Sequence, residues 1–360
     1  MLPRHLVEPL GGKEISRREF IGTGPFVFQE YVNGVSVEWA RNKDYFVPGR
    51  PYLDGMKLFI MPDSSARHAA FKTGKIHVTD LLGDGMLSSD VSAVKRMRPE
   101  AVVQKGLTFN HPNLGLNTKR KPFDDPRVRK AIFLATDRQA GNQVIQQGEG
   151  FIGGLFPPAS YWALPQEELL KMPGYRQPKD QDIAEAKRLM AEAGYPNGFK
   201  TTLLARPGKI NEDTAVFFED QLRRLGIEAQ ILPREVGAFV AAMNARNFDT
   251  FEWAQAILTD DPDQVFGEFY VSKGFRNYEQ HVIPGLDELF ARQTRELDPA
   301  KRKEIVLQMQ RMVLEDPAKV VAVWPSLFVL FAPEVKDYKV SPRGVQNNSK
   351  FQDVWLAQSE

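Results

Sequence analysis

The chain has 360 residues, of which 42% are apolar and 26% charged, and its formal net charge is +1. That length accommodates one large domain or two, and the near-average composition excludes a disordered or fibrous chain. The balance of 47 basic and 46 acidic residues lacks the electrostatic footprint of a nucleic-acid-binding protein. The absence of cysteine excludes structural disulfides, thiolate metal sites and cysteine nucleophiles.

No stretch of the sequence predicts secretion or membrane insertion. The segment Met1–His5 lacks the apolar core and the small-residue cleavage site of a signal peptide. The most apolar run, Val320–Pro333, is shorter than the about 20 residues of a spanning helix, and Pro325 interrupts it. Taken alone, these features predict a soluble protein that remains where it is made.

The stretch 22–80 predicts strands, turns and one short helix. Asn33-Gly34 is a strong hairpin-turn signal, because both residues tolerate the left-handed backbone of tight turns. Asp63 can cap a helix that Gly74 closes. The elements expected around this helix are a strand at Met56–Met61, the helix at Asp63–Thr73 and a strand at Ile76–Thr79.

The remainder of the chain alternates helices and strands between two extended segments. The segment Leu107–Thr118 is too polar for a core strand and too apolar for a loose linker, and a long apolar strand is expected at Val320–Phe331. A β-α-β unit with parallel strands and a right-handed crossover is predicted between them. It comprises the strand Lys200–Ala205, the helix Glu212–Leu225 and the strand Ile227–Leu232, with a further strand at Asp249–Ala254.

Two loops carry opposite charges after predicted strands. Arg206 follows the strand Lys200–Ala205, and Asp260 lies in the loop after the strand Asp249–Ala254. Ligands of open α/β sheets sit beyond such carboxyl ends, so this pair suits a zwitterion such as an amino acid or a short peptide. The alternatives are that Arg206 is a solvated loop residue and that the aspartates Asp260 and Asp261 cap the next helix.

Aromatic and polar side chains near these loops are further candidates for ligand contacts. Trp253, Phe251 and Phe156 qualify because aromatic rings in clefts give large apolar contact area at low entropic cost. Core packing is the alternative for each of them. Asn110 and His111, in the extended segment, complete the candidate set.

Three patterns associated with enzymes lack the context that they need. The Gly-x-Gly-x-x-Gly run Gly148–Gly153 follows a helix and leads into a Pro-Pro segment, so a nucleotide role is not expected. The aspartates Asp260, Asp261 and Asp263 could serve a hydrolase or bind calcium, but neighbouring positions do not oppose an acid and a base. The five histidines are scattered, which argues against a zinc enzyme. We therefore expect no catalytic residue, metal or cofactor.

Five motifs follow one another in the first part of the chain: Gly-Thr-Gly-Pro-Phe from Gly22, Arg-Asn-Lys-Asp-Tyr from Arg41, Pro-Tyr-Leu-Asp-Gly from Pro51, Pro-Asp-x-x-Ala-Arg from Pro62 and Gly-Lys-Ile from Gly74. In this order they resemble the extracellular solute-binding proteins of family 5, the oligopeptide-, dipeptide- and nickel-type receptors of ABC importers. The resemblance continues at Asp125–Ile132, Phe156–Pro158 and Asp261–Asp263, and so covers almost the whole chain.

The resemblance implies an α/β, two-lobed periplasmic-binding-protein fold with two hinge-crossing strands and an incomplete first lobe. The implied division is 1–106 for the remainder of the first lobe, 107–118 for a hinge strand, 119–319 for the second lobe, 320–332 for the return hinge strand and 333–360 for a segment returning to the first lobe. Such a protein would bind a peptide or related polar solute and deliver it to a membrane permease and its ATPase. In peptide-binding members, an arginine matching Arg206 binds the ligand carboxylate and an aspartate matching Asp260 binds its ammonium group.

Family members carry a signal peptide, an opening part of the first lobe and an additional subdomain ahead of the Gly-Thr-Gly-Pro stretch. Their absence here predicts an N-terminally truncated chain with an exposed sheet edge, from a periplasmic or extracellular protein. Membrane contact would run through the permease or a missing lipid anchor. The alternative functions are a ligand-sensing domain of a regulator or chemoreceptor and a carboxylate-based hydrolase.

Overall fold

A computed structural model describes residue 8 and residues 22–61, 63–79, 87–108, 110–257, 259–340 and 350–357. The chain divides into two compact units. Residues up to 106 and most of those from 327 onward form one, which we call the terminal unit. Residues 107–326 form the other, the central unit. The predicted hinge roles of 107–118 and 320–332 stay predictions, and the predictions made for 1–7 and 9–21 lie outside the described residues.

The terminal unit begins with an antiparallel sheet of three strands, β1 (Phe26–Val32), β2 (Ser36–Arg41) and β3 (Gly55–Phe59), in that order. Gly34 has a φ of 69° in the turn between β1 and β2, so the predicted hairpin is confirmed. The strand β1 lies at the edge of this sheet as described, and Val27 and Val32 on it are exposed.

A short helix follows, and the strand predicted after it is wrong. The helix α1 (Ser64–Lys72) begins at the predicted cap, where the Asp63 carboxylate accepts a hydrogen bond of 2.7 Å from the Ala66 backbone N–H. At Ile76–Thr79 the described structure has a single bridge, Val78 to Phe331, in place of a strand. The other elements of the unit are α2 (Ser88–Met97), β4 (Val102–Leu107) paired with β10 (Ser326–Phe331), and β11 (Val335–Lys336) paired with β12 (Trp355–Leu356).

The central unit is built on a five-stranded sheet of order β7-β6-β8-β5-β9. Its middle strand, β8, is parallel to β6, and β5 is antiparallel to both β8 and β9. The predicted β-α-β unit is confirmed, because β6 and β7 are parallel and are joined by the helix α7. The bounds are β5 (Asn110–Leu116), β6 (Lys200–Ala205), α7 (Lys209–Arg223), β7 (Glu228–Pro233), β8 (Thr250–Ala256) and β9 (Lys319–Val321).

The long strand predicted at Val320–Phe331 is wrong, because the structure has two short strands there. β9 ends at Val321 and β10 begins at Ser326, and the two belong to different sheets. Pro325 lies between them, and proline has no backbone N–H to give to a strand ladder. The continuous apolar run therefore reflects burial of the side chains that the structure describes in this segment, and not one continuous strand.

Helices cover the sheet of the central unit. Three of them begin at an aspartate cap followed by proline, the favoured arrangement for a first helical turn: Asp125, Asp261 and Asp298. None of the described helices is long and apolar enough to cross a membrane. The remaining helices are α3 (Pro126–Ala135), α4 (Arg138–Gln146), α5 (Gln166–Leu169), α6 (Asp180–Glu192), α8 (Val236–Asn244), α9 (Pro262–Phe269), α10 (Leu286–Gln293) and α11 (Pro299–Glu315).

Candidate functional site

Arg206 is the first residue after β6, at its carboxyl end. Its Nη2 donates a hydrogen bond of 2.9 Å to Asn211 Oδ1, on the first turn of α7. The loop between them turns at Gly208, whose φ of 115° lies in the region that favours glycine. The side chain is 19% exposed, so the guanidinium is partly sheltered but still reachable from solvent.

The Arg206 guanidinium packs over two aromatic rings. Its central carbon lies 4.6 Å from the centroid of the Trp253 ring and 5.7 Å from that of Phe239. The two rings are themselves stacked, 5.5 Å apart at 12°. A cation over an indole face is electrostatically favourable, and a stacked pair is rigid. Trp253 is half-buried and lies directly beside the arginine, and its contact with a ligand stays a prediction.

Glu252 stands beside the same guanidinium and is fully buried. Its Oε1 lies 3.6 Å from Arg206 Nη2, which makes an ion pair longer than a hydrogen bond. Within the described residues, neither oxygen of this carboxyl has a hydrogen-bond partner, and neither has Arg206 Nε. Burial raises the pKa of Glu252 to about 7, against the opposing effect of Arg206.

Asp260 is held by the protein's own side chains. Ser160 Oγ donates a hydrogen bond of 2.6 Å to Asp260 Oδ1, and Trp162 Nε1 donates one of 3.1 Å to the Asp260 carbonyl. β8 ends at Ala256, so Asp260 lies four residues beyond the strand and not directly at its end. The structure therefore gives Asp260 a role in fixing a loop, and a contact between its carboxylate and a ligand ammonium group stays a prediction.

The neighbouring aspartates are structural. Asp261 caps α9 by accepting a hydrogen bond of 2.8 Å from the Asp263 backbone N–H, as the capping alternative predicted. Arg302 Nη2 lies 3.0 Å from Asp261 and 3.3 Å from Asp263, so both carboxylates share one cation. This arrangement leaves the hydrolase hypothesis without an opposed pair of carboxyl groups.

Phe156 and Phe251 are core residues. Each is only 1% exposed, and Phe251 packs edge-on against Phe248 with ring centroids 4.8 Å apart. Gly115 allows this packing, because a Cβ there would lie 2.2 Å from the Phe251 ring. Neither ring presents surface to a ligand in this structure, and we remove both from the candidate site.

Asn110 and His111 open the strand β5, and they differ sharply in exposure. Asn110 is half-buried, and its backbone N–H donates a hydrogen bond of 2.9 Å to Thr108 Oγ1. His111 is fully buried against Trp324, with ring centroids 4.3 Å apart. Burial, assisted by the positive charge of Lys319, lowers the pKa of His111 to about 3, so its ring is neutral near pH 7. His111 is a buried neutral group and leaves the candidate site.

Strand alternation places a buried polar cluster on the same face of the sheet as His111. Lys319 Nζ donates a hydrogen bond of 3.0 Å to Gln255 Oε1 and lies 3.5 Å from Glu279 Oε1. Burial lowers the pKa of Lys319 and raises that of Glu279. We assign this cluster to the internal structure of the central unit.

The structure brings the predicted residues Arg206 and Trp253 together, and beside them lie Glu252 and Asn211, which the sequence did not single out. No sequence signal indicates burial of Glu252, because alternation along β8 places it on the face opposite Phe251 and Trp253, where an exposed glutamate is the ordinary expectation. Asn211 had no signal either, since its role depends on the turn that begins α7. Among the described residues no group of three or more His, Asp or Glu side chains is arranged to hold a metal ion.

The chain matches the family model for bacterial extracellular solute-binding proteins, family 5, over residues 3–277. It is 27% identical to the oligopeptide-binding protein AppA of Bacillus subtilis over 380 aligned positions, which cover 99% of this chain and 67% of AppA. It is also 32% identical to heme-binding protein A of Haemophilus influenzae, over 52% of this chain and 32% of that protein. The chain spans 59–67% of the length of the oligopeptide- and di/tripeptide-binding relatives.

Solved structures give the same result. The periplasmic binding protein DppA of Helicobacter pylori, in complex with the peptide STSA, superimposes with a TM-score of 0.81 at 27% identity. The match covers 99% of this chain and 67% of the DppA chain. The chain therefore belongs to family 5 of the extracellular solute-binding proteins. The expected family and the periplasmic-binding-protein fold class are both confirmed.

Proposed function

We propose that this chain is the ligand-binding part of an ABC importer's substrate-binding protein, located outside the cytoplasmic membrane, and that its ligand is a peptide or a related polar solute with a carboxylate. The observation that carries this proposal is Arg206, a partly exposed guanidinium held at the carboxyl end of β6 by Trp253 and Asn211. A planar guanidinium binds carboxylates through paired N–H groups. Delivery of the solute would be to a membrane permease and its ATPase.

The fixed orientation of Arg206 supports a binding role. A guanidinium has five N–H donors, and within the described residues Asn211 is the acceptor that it reaches. The Trp253 ring restricts the side chain before a ligand arrives, so less conformational entropy is lost on binding. The relatives that are named oligopeptide- and di/tripeptide-binding proteins agree with this chemistry. Heme-binding protein A is a relative that is named for another ligand.

A thermal-shift screen tests the proposal. The ligand set comprises di- to nonapeptides with free termini, the same peptides as C-terminal amides, and haem, nickel complexes, sugars and opines. A ligand at about 100 times its Kd should stabilise the chain by about 2.7 kcal/mol. We expect stabilisation by free-acid peptides and a weaker effect from their amides. Stabilisation by another solute class, with none by any peptide, would reject the peptide assignment.

The variant R206Q separates this site from any other. It keeps the approximate size of the side chain but removes the charge, so free-acid and amide peptides should become equivalent. Arg276, which lies over Phe269 and pairs with Glu268, offers the matched control R276Q. That control should keep the preference for the free acid.

A further inference from the structure

The ion pair of Arg206 and Glu252 has a property that the proposed function does not require. Glu252 is fully buried, its oxygens have no hydrogen-bond partner among the described residues, and Arg206 Nη2 lies 3.6 Å from Oε1. A buried carboxylate without hydrogen bonds is unfavourable unless a cation compensates its charge or a proton neutralises it. Arg206 is that cation, so the charge state of Glu252 depends on what Arg206 binds.

Arg206 is the charged group that acts on Glu252. On the paired strand β5, the residue opposite Glu252 is the apolar Leu114. His111 and Lys319 lie on the other face of the sheet, because their positions alternate with that of Glu252. The helix α7 also packs against β8, and its charged side chains have partners on the helix itself or in the loop before it: Lys209 with Asp213, Glu212 with the Gly208 backbone N–H, Asp220 with Gln221, and Glu219 with Arg223.

We propose that Glu252 binds a proton more tightly when a carboxylate binds Arg206, so that this arginine is a proton-linked carboxylate site. The inference rests on the proposed function, because it assigns Arg206 to the ligand carboxylate. When the ligand anion pairs with the guanidinium, the compensation of Glu252 is lost, and the buried carboxylate accepts a proton from solvent. Arg206 therefore faces one anion at a time: the Glu252 carboxylate before binding and the ligand carboxylate after it. The net charge of the group around Arg206 is unchanged.

The linkage has a definite sign. A second anion beside Glu252 disfavours its ionised form, so ligand binding raises the pKa of this carboxyl. By reciprocity, protonation of Glu252 strengthens carboxylate binding by the same factor. The free group titrates near pH 7. Affinity should therefore be highest and constant well below pH 7 and should fall as pH rises above 7, and a pKa shift of about one unit limits the total fall to about tenfold.

The test uses acetate as the simplest carboxylate, with acetamide as its neutral analogue. Trp253 lies against Arg206, so its fluorescence reports the charge state of the pair, and the variant W253F identifies its contribution. In the chain alone we expect a Trp253-dependent transition near pH 7. Acetate should raise this midpoint by about one pH unit, as expected of a like charge at close range, and acetamide should leave it unchanged.

The variant E252Q removes the titrating group and keeps its shape, so the transition should disappear. The control E279Q changes a buried glutamate that pairs with Lys319 and should retain the transition. Persistence of the transition in E252Q, or one midpoint in acetate and in acetamide, would overturn the inference. If E252Q fails to fold, the comparison of acetate with acetamide in the unmodified chain still decides.

The outcome is independent of the peptide screen. A chain that shows the acetate shift but binds no peptide keeps the proton-linked carboxylate site and loses the peptide assignment. A chain that binds peptides without any acetate shift keeps the proposed function and loses this inference.

Discussion

The loops that follow β6 and β8 invite comparison, because both lie beyond neighbouring parallel strands and both carry a charge. Arg206 follows its strand directly and lies over the Trp253 ring, and its guanidinium has N–H donors that make no hydrogen bond within the described residues. Asp260 lies four residues beyond β8, and Ser160 and Trp162 already bond to it. Opposite charges at two strand ends suggested a matched pair, yet the structure shows one arginine held in place with unused N–H donors and one aspartate that fixes its loop. Position along the strand distinguishes the two.

The largest expected effect concerns Glu252, and it sharpens the Arg206 side of the comparison. A folded-state pKa of about 7, where the ordinary value is 4.5, means that the folded chain binds the proton more tightly. The contribution of Glu252 to the free energy of unfolding is therefore fully present below pH 4.5. It is lost as pH rises towards 7, by on the order of 3 kcal/mol. E252Q should match the unmodified chain near pH 5 and exceed it at pH 8.

Urea unfolding of both chains at the two pH values measures this difference. Equal stability of the two chains at pH 8 would show that Glu252 is not perturbed. E279Q serves as a second reference for a buried glutamate.

The next effect tests whether Arg206 contacts the ligand. A hydrogen bond to a charged group is worth about 1.5–3 kcal/mol, so R206Q should weaken binding of a free-acid peptide by about 10- to 100-fold. Titration calorimetry against the amide of the same peptide isolates the carboxylate contribution. Equal losses for both peptides would mean that Arg206 only supports the structure.

A smaller effect distinguishes the two possible roles of Asp260. If it only fixes its loop, D260N and S160A should each cost about 1 kcal/mol of stability, and the double variant should cost little more than either. Ligand affinity would then be the same in D260N as in S160A. If Asp260 also binds a ligand ammonium group, D260N should lose affinity that S160A keeps, and thermal unfolding with calorimetry on the same samples separates these results.

The smallest effect belongs to Asn211. N211A removes a hydrogen bond of 2.9 Å to Arg206 and another of 2.9 Å to the Pro207 carbonyl, while Trp253 still supports the guanidinium. We expect about a threefold to tenfold loss of affinity for a free-acid peptide, corresponding to about 1 kcal/mol. A loss as large as that of R206Q would place Asn211 in direct contact with the ligand.

Local signals in the sequence predicted the elements well. Asn33-Gly34 formed its hairpin, Asp63 and Asp261 capped their helices, and the β-α-β unit was parallel. These features depend on a few neighbouring residues, whose backbone preferences act locally. The strand at Ile76–Thr79 failed because a single bridge to a distant residue decides the pairing there.

The site was harder to predict, because burial depends on the whole fold. Phe251 and Trp253 lie on the same side of β8 and are both aromatic. Other core side chains bury Phe251 completely, whereas Arg206 lies over the ring of Trp253. His111 looked polar enough for a ligand contact, but Trp324 packs on it from a segment more than two hundred residues away. Neither difference is visible in local sequence, and neither is the burial of Glu252, whose neighbours Phe251 and Trp253 lie on the other face of the strand.

The division of the chain also constrains the order in which it can fold. The central unit is one continuous stretch, 107–326, whereas the terminal unit combines residues from both ends of the sequence. During synthesis, the strand β4 must wait for its partner β10, which emerges more than two hundred residues later. The central unit can therefore be complete on the ribosome while the terminal unit is still half made. Exposed strand edges in that interval are a risk for aggregation, and nascent chains of this protein would benefit from chaperones that cover them.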